Sequence, residues 1–265
     1  MKALLVLVLA WAPASAEVLT LDVGGRERRA LVREPETGQA PRPLVLFLHG
    51  GGGNPGQADK QYGMSELAEK EGFLAVYPAG SGRFKNMLTW NAGNCCGYAM
   101  NKGVDDVAFL EALIDRLVTE GRADPARVYM TGMSNGAKMT HRFACERAER
   151  VAAIAAVGGA MGVKECRPSR PVPVLLIHGL MDENVPYKGG VGAKAHKSEP
   201  RVDRPIEEGA RIWREAGSEV ELITHAGGHI WPGSKQPRYR GADRMLSEPK
   251  ATTLVWEFFQ KRSRP

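Results

Sequence analysis

The fold of this chain is constrained most by residues 128–139, where a β-rich run leads into Gly-Met-Ser-Asn-Gly and then into a helical pattern. The pattern G-x-S-x-G between a strand and a helix is typical of a nucleophile elbow. Such a turn presents the hydroxyl of Ser134 on strained backbone, and it needs Gly132 and Gly136 because side chains there would collide with the neighbouring strand and helix. The following helix would aim free N–H groups at the reacting centre. The stretch therefore predicts a nucleophilic serine.

Length and composition are those of one globular domain. The chain has 265 residues, of which 43% are hydrophobic and 25% charged, and this is enough for a sizeable core. A net charge of +6 could suit nucleic acid, but Lys and Arg are scattered among Asp and Glu, and no basic stripe carries aromatic residues. We therefore expect a solvated surface and no nucleic-acid partner.

The N-terminus has the pattern of a secretory signal peptide. Lys2 supplies a positive charge, an apolar run follows, and Ala14-Ser15-Ala16 forms an A-x-A cleavage site. The apolar run is too short to span a bilayer, so no membrane span is expected. The sequence predicts that residues 1–16 are removed, that residues 17–265 form a single catalytic domain, and that the protein is secreted or periplasmic.

Strand and helix patterns alternate along the rest of the chain. Gly24-Gly25 separates two strand patterns, 18–23 and 28–32, and predicts a two-residue hairpin. The other predicted strands are 43–48, 73–77, 128–131, 151–157, 172–177 and 220–224, and the predicted helices lie around 64–70, 105–118, 206–216 and 251–261 and directly after Ser134. Residues 78–103 read as a long loop rich in Gly and Asn. The alternation predicts an α/β fold with a mostly parallel central sheet, helices on both faces and an N-terminal antiparallel hairpin.

A run of glycines, His-Gly-Gly-Gly-Gly at 49–53, directly follows a predicted buried strand. Acyl transfer places negative charge on a former carbonyl oxygen, and backbone N–H groups can stabilise it. In α/β-hydrolases one donor is the residue after the nucleophile, here Asn135, and the other lies in the loop after an early strand. We expect Gly51 to be the second donor, with Gly52 the next choice. The alternative is a flexible glycine turn.

Candidates for the acid and the base follow later strands. Asp182 comes after the strand 172–177, at the edge of the sheet where the ligand crevices of α/β folds form, and Glu183 is its neighbouring competitor. His229 lies in a Gly-flanked loop that can bring its imidazole to Ser134, whereas His225 lies nearer a strand end and reads as structural. The order serine, aspartate, histidine is the order expected of an α/β-hydrolase.

Further aromatic and acidic residues allow two interpretations. Trp90 and Trp231 are candidate substrate-binding walls, or else ordinary core residues. Asp105 and Asp106 precede a patterned helix, so they read as helix caps rather than as catalytic groups.

Four cysteines in an exported chain permit disulfides, at 95, 96, 145 and 166. Cys145 lies about three turns into the helix that follows Ser134. It should therefore lie near the end of the sheet opposite the active site. Cys166 lies in a connection that returns the chain to that same end of the sheet. Because the two cysteines can approach each other there, we predict a Cys145–Cys166 bridge. Cys95 and Cys96 lie in a loop on the active-site face and are either joined to each other or partly free.

The motifs taken together resemble those of a known family. They are Leu-His-Gly at 48–50, Trp-Asn-Ala-Gly-Asn-Cys-Cys-Gly at 90–97, Val-Asp-Asp-Val at 104–107, the elbow at 131–136, His-Gly with Asp182 within 178–187, and Gly-His with Trp-Pro-Gly at 228–233. With these, nearly the whole mature chain resembles the polyhydroxybutyrate depolymerase and LpqC-like family of secreted α/β-hydrolases, which is related to bacterial feruloyl and acetylxylan esterases. Relatives often carry a cysteine near residues 216–218, and this chain has none there.

The resemblance implies a serine carboxylesterase with Ser134, Asp182 and His229 as its triad and with no metal or organic cofactor. A hydroxyalkanoate ester is the main expected substrate. Feruloyl or acetylxylan esters of plant polysaccharides are the alternative, and a serine peptidase or a non-catalytic binding protein of the same fold is more remote. The sequence carries no appended polymer-binding module, and it does not predict an oligomeric state.

Overall fold

The computed structural model describes residues 15–194, 201–235 and 246–265, and its centre is an eight-stranded sheet. The strands are β1 (Ser15–Val23), β2 (Arg26–Glu34), β3 (Arg42–Leu48), β4 (Leu74–Pro78), β5 (Ser81–Phe84), β6 (Met87–Thr89), β7 (Ala123–Met133), β8 (Ala153–Val157), β9 (Val174–Gly179) and β10 (Val220–His225). The order in the large sheet is β1-β2-β4-β3-β7-β8-β9-β10, while β5 and β6 pair with each other.

The large sheet is parallel from β4 to β10, and its other edge is an antiparallel hairpin. β2 pairs antiparallel with both β1 and β4, and the remaining neighbours in the sheet run parallel. Gly24 and Gly25 connect β1 to β2 with φ angles of 60° and 74°, in the left-handed region that a tight hairpin turn requires. The predicted mostly parallel sheet and the predicted N-terminal hairpin are confirmed.

Helices cover both faces of this sheet. They are α1 (Pro55–Tyr62), α2 (Met64–Glu71), α3 (Gly97–Asn101), α4 (Asp106–Thr119), α5 (Asn135–Glu146), α6 (Ile206–Glu215) and α7 (Ala251–Phe259), with a short 3-10 helix at Ala148–Arg150. Alternate residues of β3 face opposite sides, so Leu46 packs in the core under α4, α5 and α6, and Phe47 packs in the core under α1, α2 and α7. Within the described ranges, no helix is both long enough and apolar enough to cross a bilayer.

Three segments were missed by the sequence prediction, namely the β5–β6 hairpin, α3 and α1. The predicted loop 78–103 contains the β5–β6 hairpin and α3, and these elements are too short to show a hydrophobic period. α1 was also missed because it is too polar to show a helical stripe, although its start signals are present. Asn54 caps it by accepting a hydrogen bond from the Gln57 N–H at 3.0 Å, and Pro55 opens the first turn.

The predicted signal peptide falls mostly outside the described residues, which begin at residue 15. Ser15 and Ala16, its last two residues, pair with Glu34 and Arg33 in β1. They join the hairpin in the full chain because β2 extends far enough to pair with them. Cleavage after Ala16 would leave the register from Glu17 onward intact.

Asp105 and Asp106 have different roles. Asp105 caps α4 by accepting a hydrogen bond from the Ala108 N–H at 2.9 Å, so its interpretation as a cap is confirmed. Asp106 lies inside the first turn and is fully buried, with its Oδ1 2.7 Å from a guanidinium nitrogen of Arg28. It is therefore a buried ion-pair partner rather than a cap.

The structure contains a disulfide between Cys145 at the end of α5 and Cys166 in the connection to β9, with the two Cα atoms 5.0 Å apart. This is the bridge that the topology of the chain predicts. Cys95 and Cys96 are joined to each other, so none of the cysteines in the described residues is free.

Replacing Cys145 and Cys166 together by Ser should lower the free energy of unfolding by about 3 kcal/mol, because a loop of about twenty residues is no longer closed in the unfolded chain. Urea unfolding of wild type and variant measures the difference. Non-reducing peptide mapping provides the control, and a peptide linking Cys145 to Cys95 or Cys96 would contradict this connectivity.

Candidate active site

Ser134 occupies a strained turn between β7 and α5. Its φ of 55° and ψ of −116° make it the one non-glycine residue with positive φ in the described ranges. Its N–H donates to the Val157 carbonyl at the end of β8, at 2.9 Å, which anchors the turn to the sheet. This is the sharp strand-to-helix geometry that the G-x-S-x-G pattern predicts.

The two glycines of the elbow are required by close backbone packing. A Cβ atom on Gly132 would lie 2.6 Å from the carbonyl carbon of Gly136, and one on Gly136 would lie 2.6 Å from the His49 carbonyl oxygen. Both distances are far below any tolerated contact, so a side chain at either position would force strand and helix apart.

Three side chains from separate loops form one hydrogen-bonded chain. Nε2 of His229 lies 2.8 Å from Oγ of Ser134, and Nδ1 of the same ring lies 2.7 Å from Oδ2 of Asp182. The loop after β10 carries the histidine, and the turn after β9 carries the aspartate. The sequence analysis selected these three residues, and the structure brings them together at the carboxyl ends of the parallel strands.

The carboxylate of Asp182 is held by backbone donors as well as by His229. Its Oδ1 accepts hydrogen bonds from the N–H groups of Asn184 at 2.8 Å and Val185 at 2.7 Å. Burial raises the pKa of this carboxyl, but the hydrogen bond with His229 and the other favourable interactions outweigh burial and leave the pKa of Asp182 below its ordinary value. Asp182 is therefore ionised at neutral pH and can orient the imidazole.

Two neighbouring histidines are buried and neutral. Burial lowers the pKa of His178 to about 4, and its Nε2–H donates to the Val185 carbonyl at 2.8 Å, which fixes the turn that carries Asp182. Burial also lowers the pKa of His49 to about 4. Nε2 of His49 accepts the Gly80 N–H at 3.0 Å, so this ring fixes the start of the glycine loop.

The other candidates for the base and the acid, His225 and Glu183, make contacts outside the triad. His225 is buried, and its Nδ1 accepts the Gly227 N–H at 3.1 Å, within its own loop. Glu183 is exposed and pairs with Lys194 at 2.7 Å. Neither makes a hydrogen bond with Ser134 or His229 among the described residues.

The predicted oxyanion-hole residues Gly51 and Asn135 are neighbours. A Cβ atom built on Gly51 would lie 3.5 Å from Cβ of Asn135. The backbone N–H groups of both residues have no acceptor within the described part of the chain. By contrast, Gly52, the second choice, donates its N–H to the Leu88 carbonyl of β6 at 2.8 Å. The geometry thus favours Gly51 over Gly52.

Trp90 is a fixed part of the core rather than a wall of the pocket. It is 0% exposed, and its indole N–H donates to the His49 carbonyl at 3.0 Å. Its backbone N–H donates to Oδ1 of Asn135 at 2.7 Å, and its carbonyl accepts from Nδ2 of the same amide at 3.0 Å. The tryptophan therefore holds Asn135 in place from behind the site.

Trp231 is likewise 0% exposed. It packs against Phe47 and Tyr62 with ring centroids 4.9 and 5.2 Å apart, and its indole N–H donates to Oγ1 of Thr252 at 3.0 Å. Neither indole lines the pocket beside Ser134, so the structure supports the core interpretation of both tryptophans and not the substrate-wall interpretation. The sequence could not separate the two because a buried indole and a pocket indole leave the same pattern.

The pocket beside Ser134 has a volume of about 400 Å³. It is lined by His49, Gly50, Gly51, Gly52, Gly53, Gln57, Ala58, Gln61, Tyr62, Met133, Ser134, Asn184 and His229. The contribution of α1 was missed along with the helix itself. Asn184 could have been found, since a residue two positions after a strand-end aspartate is well placed to donate its N–H to that carboxylate. Across the described ranges, no group of three or more His, Cys, Asp or Glu residues is arranged to hold a metal ion.

Comparison with known sequences identifies the family. The model of the family described as Esterase PHB depolymerase matches residues 28–186, which is more than half of the chain. The protein NocK of Nocardia uniformis subsp. tsuyamanensis, whose name assigns it to the esterases, is 29% identical over 89% of this chain and 81% of its own length. Feruloyl esterase C of Emericella nidulans is 26% identical over 90% of this chain and 85% of its own length.

Comparison with solved structures supports the fold. The crystal structure of esterase PE8 superimposes with a TM-score of 0.61 at 18% identity, and the match covers 94% of this chain and 99% of that one. At this identity the likeness concerns the fold alone, and the fold is the α/β-hydrolase fold. Together with the family match, these findings establish that the chain is an ester hydrolase and a member of the Esterase PHB depolymerase family.

Proposed function

We propose that the protein hydrolyses carboxylic esters with Ser134 as nucleophile, His229 as general base and acid, and Asp182 as the residue that orients the histidine. The observation that carries this proposal is the hydrogen-bonded chain from Ser134 to His229 to Asp182, with distances of 2.8 and 2.7 Å, on a strained elbow. Nucleophile and base already lie within hydrogen-bond reach, as activation of a serine hydroxyl requires.

Acylation begins when Oγ of Ser134 attacks the ester carbonyl carbon. Nε2 of His229 takes the hydroxyl proton as the new C–O bond forms, and Asp182 stabilises the resulting imidazolium. The carbonyl oxygen becomes an oxyanion, and the N–H groups of Gly51 and Asn135 would donate to it. Loss of one such donor typically costs about 10²–10³ in rate. As the tetrahedral intermediate collapses, the ester C–O bond breaks and His229 gives its proton to the leaving alcohol.

Deacylation repeats these steps with water. His229 takes a proton from the water as its oxygen bonds to the acyl carbon. When the second tetrahedral intermediate collapses, the bond between the acyl carbon and Oγ of Ser134 breaks, and His229 returns the proton to Oγ. The products are a carboxylic acid and an alcohol. In this scheme each proton passes through Nε2 of His229.

A hydroxyalkanoate ester is the main proposed substrate, in agreement with the family match. The pocket of about 400 Å³ mixes amide side chains from Gln57, Gln61 and Asn184 with the apolar Met133, so it suits a short acyl group that carries a polar substituent. Feruloyl esters are the second candidate, since a named feruloyl esterase is a relative over nearly the whole chain. Acetylxylan esters belong with feruloyl esters to this second candidate class, the esters of plant polysaccharides.

Export is also part of the proposal. Residues 1–16 would serve as a signal peptide, and residues 17–265 would form one secreted or periplasmic catalytic domain. The disulfide between Cys145 and Cys166 supports this, because such bridges persist in oxidising compartments.

The nucleophile assignment predicts that Ser134→Ala abolishes both ester hydrolysis and labelling by a fluorophosphonate, because it removes the hydroxyl that lies 2.8 Å from Nε2 of His229. The substrate panel for wild type should include hydroxyalkanoate oligomers, feruloyl sugars, acetylated xylan and simple aryl esters. Ser169 is exposed and hydrogen-bonded to Glu149, so Ser169→Ala provides the matched control and should keep full labelling. Persistent labelling of Ser134→Ala would overturn the assignment.

Asp182→Asn should lower kcat by a factor on the order of 10³–10⁴ while the fold survives. The amide oxygen can still accept the N–H groups of Asn184 and Val185. Its NH₂ group would face Nδ1 of His229 and force the proton onto Nε2, which then cannot accept the proton of Ser134. Steady-state kinetics measures the loss, and near-wild-type kcat in a folded variant would contradict the role of Asp182.

The same variant tests the linkage of Asp182 to stability. Because folding lowers the pKa of this carboxyl from its ordinary value of 3.8, its ionisation stabilises the folded state above that pH and the contribution is lost as pH falls through the lower folded-state pKa. The difference in unfolding free energy between wild type and Asp182→Asn should therefore stay constant at neutral pH and shrink as pH falls below about 5. Urea titrations at several pH values measure it, and a difference that is constant with pH would exclude this linkage.

A further inference from the structure

A buried ion cluster connects the helix behind Ser134 to the turn that carries Asp182. Lys138 lies one turn into α5, and its backbone N–H donates to the Ser134 carbonyl at 3.0 Å. Its ammonium pairs with Oδ1 of Asp203, and the two side chains are 1% and 0% exposed. The ion pair is therefore fixed to the nucleophile helix at a distance of one helical turn from the reacting hydroxyl.

The second carboxylate oxygen of Asp203 continues the cluster. It accepts a hydrogen bond from Nε of Arg201 at 3.0 Å. The guanidinium then donates from Nη2 to the backbone carbonyl of Asn184 at 2.9 Å and to Oδ1 of the same residue at 3.2 Å. The backbone N–H of Asn184 donates to Oδ1 of Asp182 at 2.8 Å. An unbroken series of polar contacts thus runs from α5 to the carboxylate of the triad.

Backbone pairing fixes Asp203 in this position. Its N–H donates to the Gly190 carbonyl and its carbonyl accepts the Gly190 N–H, both at 2.8 Å. Gly192 packs so closely against the Asn184 carbonyl that a Cβ atom there would collide with it. The segment that pairs with Asp203 through Gly190 therefore packs, at Gly192, against the same short turn that Arg201 contacts.

A contribution to stability alone does not explain why this buried cluster consists of charged side chains. Burying an ion pair has a desolvation cost that often equals its Coulombic gain, and apolar residues of similar size are frequently as stabilising. Burial accordingly lowers the pKa of Lys138, against the opposing effect of Asp203. Arg201 instead supplies a directed fork of donors, which can fix the orientation of the carbonyl it binds.

We propose that Arg201 is a positioning residue, which orients the Asn184–Asp182 turn against the nucleophile helix through the Lys138–Asp203 ion pair. The inference rests on the proposed function, because it assigns a role to the geometry of the proposed triad. A displacement of catalytic groups by about 1 Å can cost as much as 10²-fold in rate, so the loss of a single orienting contact should be measurable.

Arg201→Met tests the proposal because it removes the contact with Asn184 and leaves the Lys138–Asp203 pair in place. We expect kcat for 4-nitrophenyl butyrate to fall about tenfold and the rate of fluorophosphonate labelling to fall in parallel. KM should change by less than about twofold, since Arg201 does not line the pocket. Arg201→Lys should recover only part of kcat, because one ammonium cannot replace the guanidinium fork.

Arg204→Met provides the matched control. Arg204 contacts Glu208 at 3.4 Å and the Val163 carbonyl at 3.3 Å, and within the described chain it makes no bond to the acid-bearing turn. Its variant should keep wild-type kcat. Equal kcat values for Arg201→Met and Arg204→Met would overturn the proposal, and so would a lower melting temperature of Arg201→Met with unchanged kcat well below that temperature.

Two further outcomes are distinguishable. If Arg201→Met does not fold, the folded Arg201→Lys variant decides, since a kcat equal to that of wild type would then overturn the proposal. If the wild type itself shows neither ester hydrolysis nor labelling of Ser134, the proposed function is wrong. If the wild type is active and the Arg201 variants have the same kcat as wild type, only the positioning proposal is wrong.

Discussion

The close approach of strand and helix at Ser134 is the constraint on which the rest of the site depends. A non-glycine residue at positive φ costs about 1–3 kcal/mol, and it persists only where the surroundings over-determine it. Here β7 is buried between β3 and β8, and Gly132 and Gly136 let α5 begin against the end of β3. The strain thereby directs one hydroxyl out of the sheet and toward His229.

A second buried network holds the opposite side of the site. Arg28 pairs with Oδ1 of Asp106, and Oδ2 of Asp106 accepts the Asn91 N–H at 2.8 Å. The next residue back is Trp90, whose backbone is paired with the amide of Asn135. The N-terminal hairpin is thus connected through α4 to the residue that follows the nucleophile. The Trp-Asn segment at 90–91 is therefore coupled to the elbow although it lies far from Ser134 in sequence.

The parts of the site that the sequence predicted are marked by short stretches of neighbouring residues, whereas the parts it missed depend on contacts between residues far apart in the chain. The glycine pattern around Ser134 and the strand ends before Asp182 and His229 are local, so the sequence was enough to select the residues that the structure brings together. The environment of Trp90 depends on contacts with residues more than forty positions away, as in its pairing with Asn135, and no local pattern encodes them. The Lys138–Asp203 pair, 65 residues apart, was invisible for the same reason.

The neutral histidines around the site also determine how the folded protein exchanges protons with solvent. Burial lowers the pKa values of His49 and His178 from 6.5 to about 4. As pH falls from about 6.5 toward about 4, the unfolded chain takes up protons that the folded chain does not, so the folded state loses stability across this window. Protonation of His49 would also turn the acceptor of the Gly80 N–H into a second donor. Acid would therefore loosen the attachment of the glycine loop to Gly80, just before β5, and the folded state loses stability at mildly acidic pH before the hydrogen bonds of the folded site change.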